Sequence, residues 1–194
     1  MLYYYPNRPM LIPPDPLNPL NPKPDYINNL EHSGKYIAEK KYNGDNVLYY
    51  TNTKQFWNRH KNLLHYIPCL TMKEELCKLP ENCILNGELL HNKTKETKHT
   101  LIIHCIMVWN NKPLIDKTWK YSRNLLEKLT FGNHIQLSPL WTSNFFNLWS
   151  QTDGYTIEGI ILKNPKGILK ISTSYIPDVS WMLKIRKPNK KYSF

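Results

Sequence analysis

The sequence predicts a mixed α+β fold in which antiparallel strands outnumber the helices. Segments with strand-like composition are more numerous than helical ones, and the two kinds do not alternate regularly along the chain. The nearly uninterrupted apolar run Leu101–Trp109 has the length and composition of a buried strand. With 194 residues, of which 41% are hydrophobic, the chain is long enough to enclose a core.

Residues 1–30 are predicted to form a proline-rich strap that precedes a globular domain at residues 31–194. Eight prolines lie between Pro6 and Pro24. Because proline is incompatible with a helix interior, helix is excluded here and an extended, polyproline-like course is expected. Apolar side chains such as those of Tyr3–Tyr5 favour a docked strap over a flexible linker.

The first half of the globular part contains three predicted strands and one helix. Runs rich in β-forming residues cover Lys35–Lys41 and Val47–Thr51, and they flank a strong turn sequence, Asn-Gly-Asp-Asn at 43–46. A short helix is predicted over Thr71–Leu79. A strand is predicted over Ile84–Leu90.

The second half begins with the buried strand Leu101–Trp109 and ends in strands. Asp116 is the predicted N-cap of a helix that runs to about Leu129. A further short helix is expected to begin at Ser143 or Asn144. The remaining predicted strands are Thr156–Lys163, Gly167–Ile171 and Ser180–Arg186.

The charge balance favours a polyanionic partner. Lys and Arg total 26 against 15 Asp and Glu, a formal charge of +11. Each basic side chain placed at a phosphate releases condensed counterions, so nucleic acid is modestly favoured. An anionic membrane surface, or solubility alone, is the alternative explanation.

Cysteine usage and the absence of targeting signals predict a cytoplasmic protein without a membrane partner. The four cysteines show no CxxC pair and no zinc-site spacing, which is typical of reduced thiols. The first residues lack the layout of a signal peptide, and no apolar run is long enough to span a membrane. A monomer is expected.

Lys41 is the first candidate for chemistry, because it stands just before the tight turn at 43–46. Attack of a lysine on an α-phosphate requires the neutral amine, so burial or neighbouring cations must lower its pKa. By itself the pattern Lys-x-Asn-Gly is common. An ordinary turn with a solvated lysine is the competing interpretation.

Four further motifs follow Lys41 in a fixed order, namely Phe56–His60, Ile84–Leu89, Ile157–Lys163 and Trp181–Arg186. In order, type and spacing the series resembles the motifs of the covalent nucleotidyltransferases, which comprise DNA ligases, RNA ligases and mRNA capping enzymes. The opening Tyr-Pro-x-Arg-Pro and the closing Arg-Lys-Pro-x-Lys-x-Tyr-Ser-Phe are similar to small bacteriophage ligases. The resemblance implies a ligase-type adenylation domain with antiparallel sheets flanked by helices. Since ten residues follow Lys184, no OB-fold domain is expected.

The resemblance also implies a role for each matching residue. Lys41 matches the nucleophile that forms lysyl–AMP from ATP, and Glu158 matches the ligand of the divalent metal, Mg²⁺ or Mn²⁺. Arg59 matches the arginine near the ribose or the nucleic-acid end, and Glu88 matches the carboxylate that binds the ribose hydroxyls. The cations expected around the α-phosphate are Lys163, Lys184 and Arg186.

Two further residues matched by the resemblance carry alternatives. Glu39 either contacts the nucleotide or pairs with Lys40. His104 stands where the family has an aromatic residue that stacks on adenine, and a hydrogen-bonded core histidine is the competing interpretation.

Further features of the sequence qualify the prediction. Asn43 and Asn46 replace residues typical of DNA ligases and are closer to RNA-ligase usage. Lys163 lies five residues after Glu158, hence on the opposite side of a regular strand unless a twist intervenes. We expect Arg8, or the tail lysines 187, 190 and 191, to replace part of the missing OB domain.

The sequence therefore predicts an ATP-dependent polynucleotide ligase that acts on nicked or single-stranded nucleic acid with 5′-phosphate and 3′-hydroxyl ends. RNA is slightly favoured as the acceptor and DNA is close behind. The alternatives are a GTP-dependent guanylyltransferase of the capping type and a catalytically inactive nucleic-acid-binding relic. These alternatives differ in the nucleotide, if any, that becomes attached to the chain.

Overall fold

The computed structural model describes residues 2–12, 24–94 and 96–187, which fall into two compact units. The first unit comprises the described residues of Met1–Asn7, Gly44–Ser138 and Ile168–Pro177, and the second comprises those of Arg8–Asn43, Pro139–Gly167 and Asp178–Phe194. Each unit is therefore assembled from segments that are distant in sequence. None of the helices in the described ranges is long and apolar enough to cross a membrane.

Ten strands and four helices make up the described parts of the two units. The strands are β1 (Arg8–Leu11), β2 (Ile37–Tyr42), β3 (Asp45–Tyr50), β4 (Gln55–Asn58), β5 (Ile84–Leu90), β6 (Thr100–Trp109), β7 (Lys112–Pro113), β8 (Ile135–Leu137), β9 (Ile157–Lys163) and β10 (Asp178–Arg186). The helices are α1 (Pro24–His32), α2 (Leu70–Cys77), α3 (Trp119–Leu126) and α4 (Phe145–Ser150). This content confirms the α+β class.

The second unit is built on a four-stranded sheet in the order β1-β10-β9-β2. β9 pairs antiparallel with both β2 and β10, whereas β1 lies parallel to β10. One face of the sheet packs with α1 and α4 into an apolar core. Its buried members are Ile27, Ala38, Phe145, Leu148, Trp149, Ile160, Leu162, Leu183 and Ile185. Because strand side chains alternate, the residues between these core positions occupy the other face.

The first unit contains a six-stranded sheet in the order β4-β3-β5-β6-β7, with β8 added parallel to β6. Ser122 of α3 fastens that helix to β6, since its hydroxyl accepts from the Ile106 N–H (2.8 Å) and donates to the Ile106 carbonyl (2.9 Å). The Glu75 carboxylate of α2 accepts from three consecutive backbone N–H groups, those of residues 133, 134 and 135. These bonds fix the entry into β8.

The predicted exclusion of helix from residues 1–30 is wrong, because α1 begins at Pro24. Proline is well tolerated at the first helical position, where its missing N–H would have no intrahelical partner. The segment also contains a strand, β1. Residues 13–23 of the predicted strap lie outside the described residues.

Two other element predictions need correction. The N-cap of α3 is Thr118, whose side chain accepts from the Tyr121 N–H at 3.1 Å, whereas Asp116 has a φ of 62°. The predicted strand Gly167–Ile171 does not form, and only a single bridge between Ile168 and Thr118 occurs there.

The start of α4 agrees with the prediction, but its cap is not a local side chain. Asn144 has a φ of 60° and makes no side-chain cap hydrogen bond. The Glu31 carboxylate instead accepts from the backbone N–H groups of Asn144 and Phe145, both at 2.8 Å. A carboxylate at a helix N-terminus also interacts favourably with the helix dipole.

Candidate active site

The second unit's sheet brings most of the predicted site residues onto one face. Lys41 lies opposite Gly159, which lies opposite Arg186. One pair of residues further along, Glu39 lies opposite Ile161, which lies opposite Lys184. Directly opposed residues of neighbouring strands project to the same side. Hence Glu39, Lys41, Lys184 and Arg186 share the face that does not contact the apolar core.

A β-bulge at Glu158 brings this residue to the same face. Lys41 pairs with Gly159, but the next residue, Tyr42, pairs with Ile157, so Glu158 is the extra residue of β9. Gly159 has a φ of 152°, and a side chain there would overlap the carbonyl oxygen of residue 185. The expectation that Glu158 and Lys163 lie on opposite sides of the strand is therefore wrong, because the bulge brings them to the same side. The glycine that follows Glu158 is the sequence feature that could have indicated the bulge.

Three close ion pairs connect the charged residues on this face. Lys41 Nζ lies 3.0 Å from Glu158 Oε1, and Arg186 Nε lies 2.9 Å from Glu158 Oε2. Lys163 Nζ lies 2.8 Å from Glu39 Oε1, and both of these side chains are almost fully buried. Lys41 keeps 15% of its side chain exposed, against 6% for Glu158. The face thus presents a partly accessible lysine next to a buried carboxylate and a buried ion pair, a costly arrangement that is typical of functional sites.

Lys40, the neighbour of Lys41 in sequence, lies on the opposite face of the strand. Its ammonium stands over the Trp141 ring, 5.5 Å from the ring centroid. The two adjacent lysines therefore have different environments. The carboxylate of Glu39 pairs with Lys163, and not with Lys40 as one interpretation of the sequence had it.

Asp178 is a member of the cluster that sequence reasoning missed. Its carboxylate lies 3.3 Å from Arg8 Nε and 3.9 Å from Lys184 Nζ. Burial lowers the pKa of Lys184 below its usual range, the carboxylate of Asp178 opposes this shift, and the positive charges of Arg186, Arg8 and Lys41 add to it. Nothing in the sequence pattern distinguishes Asp178 from other surface carboxylates.

Glu88 lies in the first unit, where its carboxylate holds the start of β3. It accepts from the Gly44 N–H at 3.0 Å and from Asn46 Nδ2 at 3.5 Å. Lys93 contacts the same turn, because its Nζ donates to the Gly44 carbonyl at 2.6 Å and lies 3.1 Å from Asp45 Oδ1. Gly44 is therefore bound at both its N–H and its carbonyl, and Lys93 is a second residue that the sequence did not reveal.

Arg59 and His104 also belong to the first unit. Arg59 follows β4 on the surface, and its Nε donates to Nε2 of His60 at 3.2 Å. His104 is half-buried and is one of two extra residues in β6 opposite β5, since Cys105 pairs with Asn86 while Ile103 pairs with Gly87. The roles assigned to these two residues stay predictions.

Glu158, which the resemblance matches to the metal ligand, has one carboxylate oxygen paired with Lys41 and the other with Arg186. Within residues 2–12, 24–94 and 96–187, no group of three or more His, Cys, Asp or Glu side chains could hold a metal ion. Mg²⁺ is commonly bound by one or two carboxylates together with substrate phosphates, so a single glutamate fits that mode. The chemistry of the residues is consistent with a metal that arrives with a nucleotide.

No family model matches this sequence, and no curated protein matches it. Among solved structures, the chain is similar to the ligase domain of LigD from M. tuberculosis, with a TM-score of 0.60 at 14% identity over 78% of this chain and 53% of that one. For a Lig E DNA ligase the TM-score is 0.56 at 12% identity, over 79% of this chain and 62% of that one. For the Chlorella virus DNA ligase-adenylate the TM-score is 0.53 at 12% identity, over 94% of this chain and 69% of that one.

The chain spans about half the length of the LigD structures it matches, 53% and 55% of two of them. At 12–14% identity the similarity concerns the fold. The chain has the fold of the nucleotidyltransferase domain of nucleic-acid ligases, as its series of motifs predicted.

Proposed function

We propose that this chain is an ATP-dependent polynucleotide ligase that acts through a covalent lysyl–AMP on Lys41. The AMP then passes to the 5′-phosphate of a nucleic acid, and a 3′-hydroxyl displaces it to form the phosphodiester bond. The observation that carries the proposal is the position of Lys41, which is partly exposed on a sheet face shared with Lys184 and Arg186 and paired with Glu158. That combination of a lysine nucleophile and surrounding cations suits attack on a phosphate.

In the first step the Lys41 amine attacks the α-phosphorus of ATP. A nitrogen–phosphorus bond forms, the bond from the α-phosphorus to the bridging oxygen breaks, pyrophosphate leaves, and the amine loses a proton. Pairing with Glu158 favours the charged ammonium, whereas the nearby cations favour the neutral amine. Arg186 and Lys184 would also stabilise the negative charge that develops on the phosphoryl oxygens.

Glu158 would hold Mg²⁺ or Mn²⁺ together with phosphate oxygens of the nucleotide. The ion would neutralise phosphate charge and help to position the α-phosphorus. Glu158 also holds Lys41 in place on the charged face, since Lys41 Nζ lies 3.0 Å from its Oε1.

The remaining predicted residues would bind the nucleotide or the nucleic-acid end. We assign Glu88 to the ribose hydroxyls, as the motif resemblance implies, and its carboxylate already accepts from the Gly44 N–H and from Asn46 Nδ2 at the turn that follows Lys41. Arg59 is assigned to the ribose or to the nucleic-acid end, and Lys163 to the phosphate region. Glu39 and His104 remain candidates for contact with the nucleotide.

The acceptor is proposed to be nucleic acid with a 5′-phosphate and a 3′-hydroxyl, bound by a cytoplasmic monomer. The formal charge of +11 supports a polyanionic partner. RNA is slightly favoured by Asn43 and Asn46, and DNA is close behind. A role in DNA repair would follow if nicked DNA proved to be the better acceptor.

The test is incubation with α-labelled ATP or GTP and Mg²⁺, followed by a denaturing gel. We expect label from ATP on the wild type and on Lys40→Arg, and none on Lys41→Arg, which keeps the charge but cannot form the same phosphoramidate. Label from GTP instead would support the capping alternative. If neither nucleotide labels the wild type, the chain is a relic and the proposal is wrong.

A further inference from the structure

A second group of charges, formed by Arg8, Asp178 and Lys184, lies beside the Lys41 cluster. The Asp178 carboxylate stands between Arg8 Nε, at 3.3 Å, and Lys184 Nζ, at 3.9 Å. Arg8 and Asp178 keep about a third of their side chains exposed, 37% and 34%. The Arg8 guanidinium is therefore within reach of an anion from solution.

The backbone brings these three residues together through an irregular strand pairing. Arg8 pairs with Asp178 and Pro9 with Val179, but the next residue of β1, Met10, pairs with Leu183. One step along β1 thus corresponds to four along β10. In a regular strand, residues six apart would be separated by roughly 20 Å. The skipped residues let the Asp178 side chain approach Lys184.

The group is continuous with the Lys41 cluster along β10. Lys184 and Arg186 are alternate residues on the same face, and Arg186 shares the Glu158 carboxylate with Lys41. Arg8 therefore extends a row of cations that begins next to Lys41. A phosphate chain whose α-phosphorus lies at Lys41 could follow this row.

We propose that Arg8 and Lys184 form a phosphate-binding subsite for the pyrophosphate part of ATP, with Asp178 as the counter-ion that the phosphate displaces. Guanidinium groups bind phosphate oxygens through two parallel hydrogen bonds. When the α–β bond breaks, negative charge accumulates on the pyrophosphate, and the two cations stabilise it there. This inference rests on the proposed function in assigning the phosphate to ATP.

The direct test is calorimetric titration of inorganic pyrophosphate into the protein, which requires no covalent chemistry. We expect Arg8→Ala to weaken binding about 10-fold or more, the loss of one charge-assisted contact. Arg8→Lys should fall between this variant and the wild type, and Lys40→Ala should bind as the wild type does. Equal affinity of Arg8→Ala and the wild type would overturn the proposal.

Asp178→Asn provides a second variant in case Arg8→Ala does not fold. Removing the competing carboxylate should tighten pyrophosphate binding several-fold at low salt, because the anion no longer has to displace it. Unchanged or weaker pyrophosphate binding by this variant would contradict the proposal that the phosphate displaces the Asp178 carboxylate. Thermal denaturation of each variant separates these effects from misfolding.

A kinetic arm distinguishes pyrophosphate from the 5′-phosphate of a nucleic acid. Purified lysyl–AMP protein is mixed either with pyrophosphate, which reverses the first step, or with a 5′-phosphorylated polynucleotide. Arg8→Ala should slow the reversal at limiting pyrophosphate and leave AMP transfer nearly unchanged. The opposite pattern would place the 5′-phosphate at Arg8 and refute the proposal. If the wild type forms no lysyl–AMP, the proposed function fails, while the calorimetric titration still decides the subsite.

Discussion

Lys40 and Lys41 are adjacent in sequence and differ in almost every property that matters for chemistry. Lys40 lies over the Trp141 ring on the face with the apolar core, and Lys41 pairs with the buried Glu158 on the charged face. The alternation of strand side chains alone produces this difference. Of two consecutive lysines, one therefore makes a cation–π contact and the other is the proposed nucleophile.

Glu158 is the residue whose replacement should most clearly change metal dependence. Glu158→Gln removes the charge that pairs with Lys41 and Arg186, and we expect lysyl–AMP formation to slow about 100-fold, as for other single electrostatic contacts in active sites. Higher Mg²⁺ or Mn²⁺ should restore part of the rate. The measurement is the initial rate of labelling against metal concentration, with Glu127→Gln as the control. An unaltered rate at all metal concentrations would show that Glu158 is not a ligand of the metal.

The ion pairs also show which members of the cluster a sequence pattern can indicate. The motif series pointed to Lys41, Glu158, Lys184 and Arg186, and the sheet registers bring these residues together, while their roles stay predictions. It could not identify Asp178, because the contact depends on a slip in the β1–β10 pairing that leaves no local sequence signal. Lys93 was missed for the same reason, since a loop lysine carries no mark of its contact with Gly44.

Among the secondary-structure elements, β9 depends on Gly159 for the bulge that presents Glu158. Gly159→Ala should destabilise the protein by about 2–3 kcal/mol, because the new methyl group overlaps the carbonyl oxygen of residue 185 and φ is positive. Gly34→Ala is the matched control, since Gly34 also has a positive φ (63°) but a Cβ added there would meet no atom within 4 Å. Urea unfolding compares the two, and equal losses would show that the bulge tolerates a side chain.

Glu75 is predicted to be the main attachment of α2 to the segment that enters β8. Glu75→Gln should lower the free energy of unfolding by about 2 kcal/mol, since charge-assisted bonds to backbone N–H groups contribute more than neutral ones. The matched control is Glu74→Gln on the exposed face of the same helix, which should change stability by less than about 0.5 kcal/mol. Comparable effects of the two substitutions would contradict the assignment.

Long, strongly patterned elements were predictable from sequence, and features that depend on distant residues were not. The apolar run of β6 and the motif-bearing strands β5, β9 and β10 were located correctly. The cap of α4 could not be found, because it comes from Glu31, more than a hundred residues away. The helix α1 was missed because Pro24 was counted with the prolines that exclude helix, although proline is well tolerated at the first position of a helix.

For the molecule as a whole, the formal charge of +11 leads us to expect that the proposed binding of nucleic acid weakens as salt rises. If several phosphates are contacted, the affinity for a 5′-phosphorylated polynucleotide should fall by about 10-fold or more between roughly 50 and 200 mM salt. Labelling by saturating ATP should change much less over the same range, since it involves one small ligand and a partly buried cluster. Fluorescence anisotropy at several salt concentrations measures the slope. A flat response would show that the basic surface does not contact the nucleic acid.

The proposed mechanism depends on Lys41 as the carrier of the covalent nucleotide, and peptide mapping by mass spectrometry after incubation with ATP and Mg²⁺ identifies the carrier. We predict a mass increase of one AMP on the peptide that contains Lys41, assigned by fragmentation to Lys41 and not to Lys40. The modification should persist in Lys40→Arg and disappear in Lys41→Arg. AMP found on Lys40 or on any other residue, or no adduct on the wild type, would refute this mechanism.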